Sequence, residues 1–97
     1  MIKTGAEMTF TYPAVFTKHE DNSYSVYFPD LEMCTAEGRT YEEASDNARE
    51  QERNWIELEL DETGELPAST LPEDIHLEEG SEVHMMMCKI KFLPDSE

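Results

Sequence analysis

Three histidines, two cysteines and 23 acidic residues stand in this 97-residue chain, and any metal binding or acid–base chemistry would have to be built from them. His84 and Cys88 are the nearest pair of metal-ligand types, four apart near the C-terminus. The alternation around them reads as a strand, where residues four apart share a face but sit roughly 13 Å apart, too far to chelate one ion. Both are better read as filling a core face. Cys34 and Cys88 form a single pair in a chain without a secretion signal, which points to reduced, buried thiols rather than a disulfide framework. The carboxylates are so numerous that any two could be imagined as an acid and its base, or as a Mg²⁺ site, so their abundance marks a solvated acidic face and nothing more specific. There is no Gly-rich phosphate loop, no nucleophile elbow and no spacing that supports a Ser, His and Asp arrangement. No catalytic, cofactor-binding or metal-binding residue is assigned, and an enzyme is not expected.

The charge is more informative than the chemistry. Seven Lys and Arg against 23 Asp and Glu give a formal charge of −16, a field that repels phosphate backbones and anionic headgroups. Direct nucleic-acid binding is disfavoured. The same field speeds encounter with a cationic protein, although it would equally serve plain solubility. No stretch reaches the roughly 20 apolar residues that span a bilayer, and the start Met1-Ile2-Lys3-Thr4-Gly5-Ala6-Glu7 lacks the apolar centre of a secretory signal. A cytoplasmic protein with no membrane partner is expected. Length allows one core, and 38% hydrophobic residues are enough to pack it.

The elements that would position these residues follow from periodicity. Met8, Phe10, Tyr12, Ala14 and Phe16 alternate with polar or small residues up to Lys18, a half-buried strand that Pro13 places, wholly or locally, at an edge. The run His19 to Ser23 turns the chain into a second strand, Tyr24 to Phe28, making a hairpin. Phe28-Pro29-Asp30-Leu31 turns it again, a short third strand falls around Met33 to Glu37, and Gly38 breaks it. Thr40 and Glu43 form a capping box for a helix starting at Tyr41, with Glu42 and Glu43 at its positive end and Gly64 as a stop. Tyr41, Ala44, Ala48, Trp55 and Leu58 form the expected sheet-facing stripe, interrupted by Gln51 and Glu52. Arg49 and Arg53 are spaced to pair with Glu50, Glu52, Glu57 or their neighbours. The segment 61–82, rich in Pro and acids, reads as a packed-over loop with an extended piece at Ile75 to Leu77. A last strand, 83–92, sends His84, Met86, Cys88, Ile90 and Phe92 to one side and Val83, Met85, Met87, Lys89 and Lys91 to the other. The methionines that face away from the helix, beside Val83 and Tyr27, suit an interface, with core packing or self-association as the competing reading.

The ordered set Tyr12-Pro13-Ala14-Val15-Phe16, Tyr24-Ser25-Val26-Tyr27-Phe28-Pro29-Asp30-Leu31, Cys34-Thr35-Ala36-Glu37-Gly38, Thr40-Tyr41-Glu42-Glu43-Ala44 and Asn47-Ala48 resembles the HicB antitoxin family, over roughly residues 8–60. The resemblance implies an α+β fold, a β-β-β-α-β sheet with one helix on one face, of the truncated RNase H-like or double-stranded-RNA-binding-domain-like kind. It also implies a partner: HicA, a small basic RNA-cleaving toxin whose catalytic His is covered or kept from RNA in the complex. The whole chain, 1–97, is then one HicB-like domain, with core 8–60, loop 61–82 and final strand 83–92. Glu32-Met33 stand where family members commonly have Pro-Gly. Many members continue into a helix-turn-helix or ribbon-helix-helix domain, whereas this sequence ends five residues after Phe92. No DNA-binding domain, and no autorepression by this chain alone, is expected.

Three functions follow. An antitoxin would bind and neutralise a basic HicA-like toxin by occupying its RNA-holding surface; an orphan relative would act as a homo-oligomer or adaptor through its sheet; a residual RNase H-like hydrolase would cleave with metal. They rank in that order. The expected partner surface uses Asp30, Glu32 and Glu37 around the turn and third strand, with Tyr27 and Met85 on the open sheet face. A homodimer is expected, from the resemblance. No cofactor is.

Overall fold

The helix begins where its cap requires. In this computed structural model, which describes residues 6–92 and side chains 8–90, Thr40 is extended and its hydroxyl accepts from the Glu43 N–H at 3.0 Å. Glu43 reaches back to the N–H of Arg39 at 2.7 Å, one residue before the usual partner in a capping box. Helix α1 runs Tyr41–Glu62, and Gly64, at φ +77°, follows its last turn and donates to the Glu59 carbonyl.

Strands β1 (Ala6–Lys18), β2 (Tyr24–Tyr27) and β3 (Thr35–Gly38) precede the helix, and β4 (Ser81–Phe92) follows it. All pair antiparallel in the order β3-β2-β1-β4. This is the expected β-β-β-α-β order, with β3 starting two residues later than its pattern suggested. The readings of the first five residues, and the sides assigned to Lys91 and Phe92, lie outside what is described. No described helix is long and apolar enough to cross a membrane.

Pro13 sits in an interior strand, yet in a part of it that is an edge. Lys18 donates to the Gly80 carbonyl and Phe28 to the Cys34 carbonyl, so antiparallel alternation turns the even-numbered amides of β1 toward β4 and the odd-numbered ones toward β2. The β2 ladder ends at the Val15–Tyr27 pair. The nitrogen of Pro13 therefore faces a place where no ladder runs, and its missing N–H costs no bond.

The core lies between sheet and helix. Tyr12, Ala14, Phe16, Val26, Ala36, Met86, Cys88 and Ile90 meet Ala44, Ala48 and Ile56 of α1. The helix is turned relative to the apolar stripe: its buried line is Ala44, Ala48, Glu52 and Ile56, while Leu58 is exposed and Trp55 half-buried. Successive steps of four place Glu52 directly on the sheet, so the residue expected to interrupt the stripe lies at its centre. Tyr41, though partly exposed, lays its ring against Phe16, Tyr24 and His84 at 5.1, 5.9 and 5.5 Å between centroids. Close approach of β3 to α1 depends on Gly38, since a Cβ there would run into the backbone of Glu43 and Ala44.

The segment after α1 is fastened down, as expected of a packed-over loop. Leu66 packs on the core, and the Tyr12 hydroxyl donates to the Pro67 carbonyl at 2.6 Å. The regular piece it holds is a 3₁₀ turn at Pro72–Asp74 rather than the extended stretch expected just beyond.

Candidate partner-binding surface

The turn between β2 and β3 is built by three consecutive backbone bonds: Leu31 N–H to Phe28, Cys34 N–H to Leu31, and Phe28 N–H to Cys34, all at 3.0–3.1 Å. Leu31 is fully buried, which leaves Asp30, Glu32 and Met33 on the rim. Met33 takes φ +63° with 90% of its surface exposed. A non-glycine residue is strained there, and this is where the resembling family commonly carries glycine.

Two long-range contacts hold the turn in place. Trp55 Nε1 donates to the Glu32 carbonyl at 2.9 Å, joining turn to helix. The Asp30 carboxylate accepts from the Thr70 N–H at 2.8 Å and the Thr70 hydroxyl at 2.6 Å, joining turn to loop. Between these contacts lies an open groove lined by Asp30, Glu32, Trp55, Glu59 and Glu65. Carboxylates around a half-buried indole suit a guanidinium or ammonium group, which gains both ion pairing and attraction to the ring face. Asp30 is already engaged, so Glu32, Glu59 and Glu65 carry the free charge.

The five residues expected at a partner surface divide into two sets. Asp30 and Glu32 belong to the groove. Tyr27, Glu37 and Met85 belong to the open face of the sheet, where Tyr27 pairs with Val15, Met85 with Pro13 and Glu37 with Ser25. Pro13 and Val15 are buried there by larger neighbours, while Tyr27, Met85 and Met87 remain about half exposed. Met86 faces the other way, into the core, so two of the three consecutive methionines reach the open face.

Trp55 and Glu59 were missing from the expected surface. Both sit on α1, and the helix's rotation about its axis is set by packing that its own periodicity does not contain. Much of α1 is acidic outward: Glu42, Asp46, Glu50 and Glu57 are exposed. Among the described residues one Arg or Lys ion pair forms, Arg49 with Asp46 at 3.7 Å, in place of the helix partners expected from spacing. Most of the acidic field is therefore uncompensated and available to a partner.

Glu52 is a separate matter. It is fully buried, and neither carboxylate oxygen has a hydrogen-bond partner. Burial pushes its carboxyl up to about 8, with Arg49 pulling the other way. Burial also raises Cys34 to about 11 and raises Cys88, and in both cases Glu52 adds to the effect. The two thiols are free and buried, as expected. No group of three or more His, Cys, Asp and Glu side chains is arranged to hold a metal among the described residues. His84 instead packs edge-on against Phe16, with Nε2 3.1 Å from Glu82.

Comparison with known proteins gives this geometry a family. No curated protein matches. One chain of a structure titled "HicA3 and HicB3 toxin-antitoxin complex" superposes with a TM-score of 0.61 at 27% identity, over 78% of this chain and 94% of that one. The N-terminal domain of the antitoxin HicB of Burkholderia pseudomallei superposes at 0.66 with 23% identity, over the same shares, and bears on the fold alone. The family described as the HicB_like antitoxin of bacterial toxin-antitoxin system matches residues 12–94. That span takes in all but the first part of β1 together with the groove, the helix and β4, and the chain belongs to the HicB-like antitoxin family.

Proposed function

We propose that this chain is an antitoxin that binds a small basic toxin of the HicA type and neutralises it by covering the surface on which the toxin holds RNA. The observation that carries this reading is the groove at Trp55, where Glu32, Glu59 and Glu65 offer uncompensated carboxylates around an aromatic ring. A toxin that grips an RNA backbone presents Lys and Arg, the groups this groove suits. The exposed acids of α1 extend the same field and steer the encounter. Inhibition is then competition and steric blockage, and it needs no catalysis by this chain.

The second reading, a toxin-free adaptor working through its sheet, draws on the apolar open face around Val15, Tyr27 and Met85. Co-expression with the short basic protein encoded beside it separates the two. Growth rescue and co-purification that weakens from low to moderate salt support the antitoxin; absence of both leaves the adaptor.

A further inference from the structure

Strand β4 runs twelve residues along the outer edge of the sheet. The bond from Lys18 to Gly80 fixes its alternation: even-numbered residues of β4 bond to β1, and the amides of Val83, Met85, Met87 and Lys89 point outward. Among the described residues, no backbone hydrogen bond from another segment reaches these four amides. Folded proteins blunt such edges by keeping them short, or with proline, a bulge or charge. This edge is twice the usual strand length of about six residues, it has no proline, and Lys89 is the one charged side chain among those four positions.

The charge of the chain avoids this region. Of its 23 acidic residues, none falls in Met8 to Lys18 or in Val83 to Phe92. A ribbon without carboxylates, in a chain of charge −16, is a poor seat for a cationic protein and a good one for a surface like itself. We propose that two copies of this chain pair β4 to β4, antiparallel about a two-fold axis at Met86, into one continuous eight-stranded sheet. With the axis perpendicular to the sheet, odd-numbered residues keep to the open face in both copies. Met85 of one copy lies opposite Met87 of the other, and Val83 opposite Lys89. Each outward amide gains a carbonyl, and four half-exposed methionines cover one another at the centre. The acidic groove lies on the turn and helix of each copy and takes no part in the pairing, so the inference is independent of the toxin reading.

The full chain tests it. Sedimentation at tens of micromolar should give twice the 11.2 kDa of one chain. Met87→Pro removes an outward N–H without touching the ladder to β1, so its circular dichroism and melting should stay close to those of the parent while the dimer weakens roughly tenfold or more. Register is read without proline by mixing a Met85→Lys chain with a Met87→Glu chain: native mass spectrometry should show the mixed dimer enriched over either homodimer. A parent chain that stays monomeric overturns the proposal, including one that adds a strand only when a basic protein is supplied. A dimer indifferent to a folded Met87→Pro overturns it too, as does an absence of enrichment in the mixture.

Discussion

Asp30 and Thr70, forty residues apart in sequence, are joined by two hydrogen bonds, from the Thr70 amide at 2.8 Å and its hydroxyl at 2.6 Å. An acid on the rim of a candidate binding groove is thereby committed to holding the loop against the turn. Bonds to an ionised acceptor are stronger than neutral ones. Asp30→Ala should lower the unfolding free energy by about 1–3 kcal/mol in denaturant titrations, and a double-mutant cycle with Thr70→Val should show strong coupling between the two. Losses that simply add would mean that the pair does not act as one fastening.

The buried Glu52 makes stability fall as pH rises. Its carboxyl stands at about 8 in the folded chain against an ordinary 4.5, so between those values the folded state holds a proton that the unfolded state has released. Unfolding free energy attributable to this group is greatest below pH 4.5, declines through the window and levels off above pH 8. Glu52→Met, which keeps the length and removes the charge, should stabilise the protein more at pH 8 than at pH 5. The check is chemical denaturation at both values, with the difference between variant and parent as the readout; an equal gain at both would exclude an ionising buried carboxyl.

Two backbone positions should respond in opposite directions. Met33 is held at φ +63° with its side chain in solvent, so Met33→Gly should stabilise by about 0.5–1 kcal/mol, relief of the left-handed strain exceeding the added freedom of the unfolded chain. At Gly38 the room for a Cβ is taken by backbone of α1, and Gly38→Ala should cost about 2 kcal/mol or more because that backbone must move. Thermal melting of both variants checks the signs.

If the groove receives a basic partner, reversing its free charges should weaken binding without unfolding the chain. Glu32→Lys with Glu65→Lys alters exposed side chains, so stability should change by less than about 0.5 kcal/mol each. Affinity for the cognate basic protein should drop at least tenfold, with a flatter salt dependence in calorimetry. Unchanged affinity would move the contact away from Trp55.

The elements that sequence disclosed are those specified by local chemistry. Thr40 and Glu43 mark the helix start, Gly64 its end, and the alternation at Met85-Met86-Met87 the two faces of β4. The expected contact residues Tyr27 and Met85 came together because strand parity is a local property. What sequence did not disclose depends on packing between distant segments. Pro13 in an interior strand becomes intelligible only once β2 is seen to stop at Tyr27, and a carboxyl at position 52 gives no local sign of being turned inward. The groove joins Asp30, Trp55 and Glu65 from turn, helix and loop, so no window of the chain contains it. The Pro-Gly to Glu32-Met33 departure, by contrast, was visible as a mismatch and reappears as a strained φ angle.

The Tyr12–Pro67 and Asp30–Thr70 contacts also govern how the chain would be degraded. The stretch from Thr63 to Gly80 has no long regular element and several exposed residues, features that ordinarily invite proteolytic nicking. A protease, however, needs an extended substrate strand, and drawing one out here means breaking ties that run to β1 and to the β2–β3 turn. Cutting would then proceed through wholesale opening of the domain, and any ligand that favours the folded state would lengthen the lifetime of the loop along with that of the core.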